Sequence, residues 1–334
     1  MRRRLCDGSA DVSTRLDGSG DVRRTIPAIA REWRWALPDG HEIRRISLDP
    51  PAGTLPRGSI LFMPGRADFY EKYLETLIEW TAAGWHVNAA DWRGQGASGR
   101  MTADPLVGHI ADFSVWISDL GALWQDWVRT TPGPHVLAGH SMGGHLVLRA
   151  VAEGAANPEA VVLSAPMLGF ITAIPQIVQQ VYGKLMCRIG NPERMAWKTS
   201  EKPGSASSDR MNLLTHDAMR YADELWWRAA RPELEIGPAS WRWVERAAAS
   251  IEALRAPGLL EAVMAPVLLL AAKRDALVSW PAINAAAARL PRGKLVAWGP
   301  EARHELLREA DPVRAQVMAT IASFLDRALP ARTV

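Results

Sequence analysis

Ser141 is the residue of this chain best placed to act as a nucleophile. It lies in the segment Gly139-His140-Ser141-Met142-Gly143-Gly144, between an apolar run at 135–138 and a helix-like run at 145–151. A serine on a sharp turn between a buried strand and a helix needs glycines on both sides, because a Cβ there would clash with its neighbours. The pattern is typical of a nucleophile elbow. The alternative is an ordinary Gly-Ser turn between a strand and a helix.

A serine hydroxyl is a weak nucleophile at neutral pH, so it needs a histidine as base and a carboxylate that orients the histidine. Catalytic groups in an open parallel sheet gather beyond the carboxyl ends of the strands. Asp275 follows a predicted strand at 266–271, and His304 follows a predicted strand at 293–298. The order Ser141, Asp275, His304 accompanies this type of elbow. The alternatives are a helix cap or surface turn for Asp275 and a solvated loop for His304.

Two backbone N–H groups must stabilise the oxyanion that forms when such a serine attacks a carbonyl group. We predict that one donor is Met142, the residue after the nucleophile. The other should come from the loop after the strand at 59–63, where Gly65 lets the chain approach the serine. Because Pro64 has no N–H, Arg66 is the predicted second donor.

Composition and motif spacing exclude several other classes of site. The chain has 334 residues, 48% of them hydrophobic, and a net charge of only +3, which gives nucleic-acid binding little support. Its two cysteines, Cys6 and Cys187, form neither a disulfide framework nor a metal-binding spacing. His304-Glu305 lacks the second histidine of a zinc peptidase motif. We therefore expect no metal.

The segment 94–99 spells G-x-G-x-x-G, the pattern of a dinucleotide-binding turn. The residues that follow it, 101–105, are loop-like rather than the start of a helix, and no acidic residue ends a second strand about twenty residues on. A tight structural turn beneath the active site is the better interpretation. We therefore expect no nicotinamide cofactor.

Strand and helix patterns alternate along most of the chain, which predicts an α/β fold with a mostly parallel sheet and helices on both faces. The first predicted element of this fold is an antiparallel hairpin at 32–49. The alternation stops after residue 166 and resumes near 265, so the intervening segment is an inserted helical cap, with helices predicted at 174–187, 216–230 and 240–254. The predicted units are a disordered basic tail at 1–28, a first core part at 29–166, the cap at 167–255 and a second core part at 256–334.

The first 28 residues are polar and basic and contain no apolar stretch of the kind that a signal peptide requires. No segment approaches the roughly 18 consecutive apolar residues that span a bilayer. We expect a cytoplasmic protein, and a peripheral contact with the inner face of the membrane is compatible with this sequence. Nothing in the sequence indicates an oligomeric state.

Several of these segments together resemble the lysophospholipase and monoacylglycerol lipase group of α/β-hydrolases, from about residue 32 to 327. The matching segments are 62–66, 70–73, 91–98, the elbow, 275–278 and 304–306. Stretches of the cap at 214–217 and 238–241 resemble the bacterial lysophospholipase L2 branch. The resemblance implies the α/β-hydrolase fold and a carboxylic-ester hydrolase without cofactor, acting through an acyl-enzyme on an amphiphile with one acyl chain. Pro64 stands where the group usually has histidine, which puts the side-chain hydrogen bonds of that loop in doubt.

The cap is rich in tryptophan, and indole rings suit the boundary between lipid and water. We predict that Trp226, Trp227 and Trp241 contact the substrate, the alternative being ordinary packing of the cap on the core. The same triad would also serve a small-molecule esterase, a thioesterase or an acyltransferase. A hydrolase-fold scaffold that has lost catalysis is a more remote alternative, because all three triad residues are present.

Overall fold

An eight-stranded sheet forms the centre of the fold in the computed structural model, which describes residues 19–171, 176–197 and 208–330. The strands are β1 (Ala30–Ala36), β2 (Glu42–Leu48), β3 (Gly58–Met63), β4 (Trp85–Ala90), β5 (His135–His140), β6 (Ala160–Ser164), β7 (Val267–Ala272) and β8 (Gly293–Trp298). They lie in the order β1-β2-β4-β3-β5-β6-β7-β8. β2 pairs antiparallel with β1 and β4, and all other neighbours are parallel. The predicted fold class is confirmed.

Ten α-helices are found in the described part of the chain. They are α1 (Ser19–Arg24), α2 (Leu74–Ala82), α3 (Phe113–Thr130), α4 (Ser141–Ala152), α5 (Gln176–Arg188), α6 (Ser208–Leu214), α7 (Ala218–Ala230), α8 (Trp241–Leu254), α9 (Trp280–Arg289) and α10 (Asp311–Ala328). The sequence pattern predicts helices at 70–83 and 109–129. α3 begins at residue 113 rather than 109, because Asp112 Oδ1 caps it by accepting from Ser114 N at 2.8 Å. The first turn of the helix predicted at 70–83 is a 3₁₀ turn, Tyr70–Tyr73.

Both faces of the sheet are covered, as the continuous apolar strands predict. In β3, Ile60 and Phe62 belong to the apolar cluster on one face. Leu61 and Met63 belong to the cluster on the other face. Successive side chains of a strand point to opposite faces, so both kinds of position need apolar residues when helices pack on each side. The buried strands give the residues at their carboxyl ends a rigid base.

Between β6 and β7 the described residues form the helices α5 to α8 in place of a single crossover helix. Three of them match predicted helices within two residues at each end, and α6 was not predicted. Residues 172–175 and 198–207 of the predicted cap lie outside the described residues. The division of the chain at 167 and 255 stays a prediction.

Residues 19–24, at the end of the predicted disordered tail, form helix α1. The Nε atoms of Arg23 and Arg24 donate to the two carboxylate oxygens of Asp223 at 2.5 and 2.6 Å. The indole of Trp227 donates to Arg23 O at 2.8 Å. These partners lie about two hundred residues away along the chain, so no local sequence pattern predicts the contacts. Residues 1–18 lie outside the described residues.

Candidate active site

Ser141 occupies the sharp turn between β5 and α4. Its φ of +52° lies in the left-handed region, which residues with a Cβ rarely adopt. A Cβ on Gly139 would lie 2.8 Å from the backbone of Gly143, and a Cβ on Gly143 would lie 2.2 Å from Pro64 O. The glycines therefore let strand, helix and the loop after β3 close around the serine.

The structure brings Ser141, Asp275 and His304 together. The Ser141 hydroxyl donates to His304 Nε2 at 3.0 Å, and His304 Nδ1 donates to Asp275 Oδ2 at 2.8 Å. The other carboxylate oxygen, Oδ1, accepts from the backbone N–H groups of Leu277 and Val278 at 2.7 and 3.0 Å. Because an ionised carboxylate only accepts, this arrangement fixes the imidazole tautomer with its free lone pair toward the serine.

His304 and Asp275 each stabilise the charged form of the other. Burial penalises the charged imidazolium, but the negative charge of Asp275 and its hydrogen bond outweigh this penalty and raise the pKa of His304 above its usual 6.5. Burial also works against the charged form of Asp275, but His304 and the two backbone donors hold the pKa of that carboxyl below its usual 3.8. The pair can therefore take a proton from the serine and stabilise the resulting cation.

The loop after β3 packs against the turn that carries the serine. A Cβ on Gly65 would lie only 3.1 Å from the Cβ of Ser141. Arg66 is the next residue of that loop, and Met142 follows Ser141 in the first turn of α4. The loop and the helix start thus both lie next to Ser141. The role of the two N–H groups as oxyanion donors stays a prediction.

A cavity of about 260 Å³ opens beside the serine and histidine. Among the residues that the structure describes, its apolar wall consists of Met167, Phe170, Trp197, Leu214, Trp243, Leu277 and Val278. Its polar wall consists of Gly65, Arg66, Asp68, Lys72, His140, Arg210 and Glu305. The two walls suit a ligand with one apolar part and one polar part.

The three tryptophans predicted to contact the substrate do not line this cavity among its described lining residues. Trp226 and Trp227 pack edge to face with a centroid distance of 5.0 Å, close to α1. Trp241 packs against Tyr182 of α5 at 5.5 Å. Substrate contact by these three residues stays a prediction; the contacts that the structure gives their rings are with each other, with α1 and with α5.

Trp197 and Trp243 lie at the cavity instead. The helical spacing of α8 could have selected Trp243, because Trp243, Ala247 and Ile251 are all buried and lie on one face of the helix. Trp241 is two positions earlier, which places it on a different face. No comparable signal marks Trp197, since it lies in an irregular segment.

Comparison with known proteins shows the family of this chain. The sequence profile of the hydrolase family described as serine aminopeptidase, S33 matches residues 54–311. Lysophospholipase L2 of Escherichia coli (strain K12) is 31% identical over 281 residues, which cover 80% of each protein. The chain belongs to the lysophospholipase and monoacylglycerol lipase group of α/β-hydrolases. The family resemblance predicted from the motifs is confirmed, and the chain is a serine hydrolase.

A partial sequence match and a solved structure extend the comparison of this hydrolase. Monoacylglycerol lipase of Mycolicibacterium smegmatis is 32% identical over 167 residues, covering 49% of this chain and 58% of that protein. The solved structure of a soluble variant of monoglyceride lipase from Saccharomyces cerevisiae superposes with a TM-score of 0.70 at 17% identity, covering 93% of this chain and 98% of that one. That likeness shows the shared fold.

A buried ion network adjoins the active site of this hydrolase and was not predicted from the sequence. Lys72 Nζ lies 2.5 Å from Asp68 Oδ1, 2.9 Å from Glu224 Oε2 and 2.8 Å from Glu305 Oε1. Arg308 pairs with Glu305 and Glu224. Burial opposes ionisation, but Lys72 and neighbouring arginines hold the pKa of Glu224 well below its usual 4.5. The network ties cap helix α7 to the core.

Proposed function

We propose that this hydrolase cleaves carboxylic esters of single-chain lipids, lysophospholipids or monoacylglycerols, through an acyl-enzyme on Ser141. The observation that carries the proposal is the chain of hydrogen bonds from Ser141 through His304 to Asp275, at 3.0 and 2.8 Å, beside a cavity with an apolar wall. The names of the Escherichia coli and Mycolicibacterium relatives support this substrate class.

In the first step, Ser141 Oγ attacks the ester carbonyl carbon while His304 Nε2 takes the hydroxyl proton. The carbonyl oxygen becomes an oxyanion, which we assign to the N–H groups of Arg66 and Met142. Collapse breaks the bond to the alcohol, which leaves with the proton from His304. Water then attacks the acyl-enzyme by the same route and releases the fatty acid. Asp275 holds the imidazole and stabilises its cation throughout.

The size and chemistry of the cavity support one acyl chain. Its volume of about 260 Å³ lies just below the range of roughly 300–1,000 Å³ that is usual for small-molecule sites. Phe170, Leu277 and Val278 offer the acyl chain an apolar surface, and the charged wall opposite offers hydrogen bonds to a polar head group. A diacyl lipid would need apolar surface for a second chain.

The exposed side of α5 supports a peripheral contact with a lipid surface. Val181, Tyr182 and Leu185 are 62, 52 and 48% exposed, and the basic residues Lys184 and Arg188 lie between and beside them. Apolar side chains flanked by cations suit the surface of anionic lipids. None of the helices in the described ranges is long and apolar enough to cross a bilayer. We propose that substrate enters from a membrane or micelle surface.

Two variants test the nucleophile. Ser141→Ala should abolish hydrolysis of p-nitrophenyl esters and labelling by a fluorophosphonate probe, while the control Ser118→Ala, on an exposed position of α3, should retain both. Full activity of folded Ser141→Ala would refute the assignment. Activity that rises with acyl length, measured also on monoacylglycerol and lysophosphatidylethanolamine, would support the lipid substrate. A preference for acetyl esters would favour a small-molecule esterase.

Sedimentation with vesicles of phosphatidylethanolamine and phosphatidylglycerol tests the membrane contact. Leu185→Asp should lower the bound fraction, whereas Met264→Asp, at an exposed apolar position outside the cap, should leave it unchanged. Equal binding of both variants and the unchanged protein would contradict a contact through α5.

A further inference from the structure

The glycine-rich turn at 94–99 has no role in the mechanism described so far. It follows β4, and its glycines at positions 94, 96 and 99 all have positive φ. A Cβ on Gly96 would lie 2.1 Å from Asp91 Oδ2, so the turn folds back tightly on the end of its own strand. This fold brings the side chains of Trp92 and Gln95 beneath the loop that follows β3.

These two side chains hold that loop on both sides of Arg66. The Trp92 indole N–H donates to Pro64 O at 2.8 Å, and Gln95 Oε1 accepts from Ala67 N at 2.8 Å. Trp92 is 2% exposed and Gln95 is fully buried, so water does not compete for either bond. The backbone is therefore anchored immediately before and immediately after the segment 65–66.

The loop needs such anchors because its backbone is strained. Ala67 has a φ of +53°, a conformation that residues with a Cβ adopt rarely and at a cost of about 1–3 kcal/mol. Pro64 cannot donate a hydrogen bond, so the loop has one fewer backbone N–H with which to hold itself. Asp68 Oδ2 adds a third anchor by accepting from Gly65 N at 3.1 Å. Two side chains from outside the loop and one from within it thus hold the backbone on either side of Arg66.

We propose that Trp92 and Gln95 are positioning residues for the oxyanion loop, and that the glycines of the 94–99 turn serve to place them. This inference rests on the proposed ester hydrolysis, in which the Arg66 N–H meets an oxyanion that exists only in the transition state and the tetrahedral intermediate. An anchor that sets the direction of this N–H changes transition-state binding more than substrate binding. The two anchors also explain how the loop keeps its conformation although Pro64 has no N–H to donate.

Loss of one oxyanion donor costs on the order of 10²–10³ in turnover, and misplacement by about 1 Å costs on the order of 10². Removing one anchor loosens the donor without deleting it. We therefore expect kcat to fall by about tenfold to a hundredfold, with KM within about twofold of its original value.

The test compares Trp92→Phe and Gln95→Met with the matched control Trp116→Phe. Trp116 is also buried, its ring packs 6.3 Å from that of Trp92, and its indole donates to Arg93 O at 3.0 Å rather than to the oxyanion loop, so it controls for lost packing around the turn. Each variant is assayed for kcat and KM on a p-nitrophenyl ester, with active sites counted by fluorophosphonate labelling to completion. Inhibition by an alkyl trifluoromethyl ketone, which the serine converts to a tetrahedral oxyanion, measures oxyanion binding directly.

The expected result is a lower kcat and a correspondingly weaker affinity for the ketone in both test variants, with the control near the unchanged protein. If the test variants match Trp116→Phe in kcat per active site, or if only their Tm falls, the positioning role is refuted. An unchanged protein that hydrolyses no ester would refute the proposed function instead. Because two different anchors are tested, failure of one variant to fold leaves the other to decide.

Discussion

Gly143→Ala is the substitution whose effect follows most directly from the structure. The new Cβ would lie 2.2 Å from Pro64 O and 2.3 Å from Met63 O, both of them backbone atoms that no side-chain rotation can move away. Contacts of a Cβ below 3.0 Å are essentially never seen, so the loop or the start of α4 must shift by at least about 0.8 Å. These two segments carry Arg66 and Met142, the predicted oxyanion donors. A shift of this size should lower kcat by about a hundredfold.

The same overpacking should lower the free energy of unfolding by about 1–3 kcal/mol. The assay is kcat on a p-nitrophenyl ester per fluorophosphonate-reactive site, together with urea denaturation. Gly121→Ala is the matched control, because it lies in helix α3 and its Cβ would meet Ala155 O at an ordinary 3.4 Å. If Gly143→Ala keeps kcat within about threefold of the original, the loop does not hold the oxyanion donors as we reason.

Three further predictions follow from the electrostatics. His304 must be neutral to act as a base, and its pKa is raised, so kcat/KM should fall with decreasing pH with a midpoint above 6.5. Asp275→Asn should move that midpoint to lower pH. A midpoint below 6.5 in the unchanged protein would contradict this prediction. Glu224→Gln breaks a buried ion network and should lower the free energy of unfolding, measured by urea denaturation, by about 3–5 kcal/mol. The control Glu252→Gln lies in an exposed ion pair and should change it little. Equal urea midpoints for the two variants would count against a stabilising role of the network. Burial opposes ionisation of Asp68, but the adjacent ammonium group holds its pKa at about 2, so its contribution to stability is complete above its usual 3.8 and is lost as the pH falls toward 2. Asp68→Asn should flatten that decline in stability, and an unchanged slope would refute this role.

Much of the reactive centre is encoded in short segments. The glycines around Ser141 are required by contacts among neighbouring elements, and the positions of Asp275 and His304 follow from where strands end. The alternation of strand and helix patterns predicted a mostly parallel sheet. Continuous apolar strands predicted that helices cover both of its faces, because burial on both faces requires apolar residues at every position. These features were predictable because each depends on a local pattern or on one general rule of parallel sheets.

The cap was less predictable. A tryptophan-rich cap is typical of a lipid-contacting site, but Trp226 packs on Trp227 and Trp241 packs on Tyr182, whereas Trp243 lines the cavity. Composition does not tell which face of a helix meets the core. The same holds for α1, whose two arginines meet Asp223 only after the chain has folded across about two hundred residues.

Glycine spacing and the order of the strand ends are enough to predict the nucleophile, its two partners and the sheet that carries them. The side chains that surround them depend on the tertiary fold. Lys72 meets Glu224 and Glu305, and Gln95 supports the loop of Arg66, through contacts between segments far apart in the chain. A buried charge or a strained turn is stable only when distant side chains pair with it, and packing of the whole fold selects those side chains.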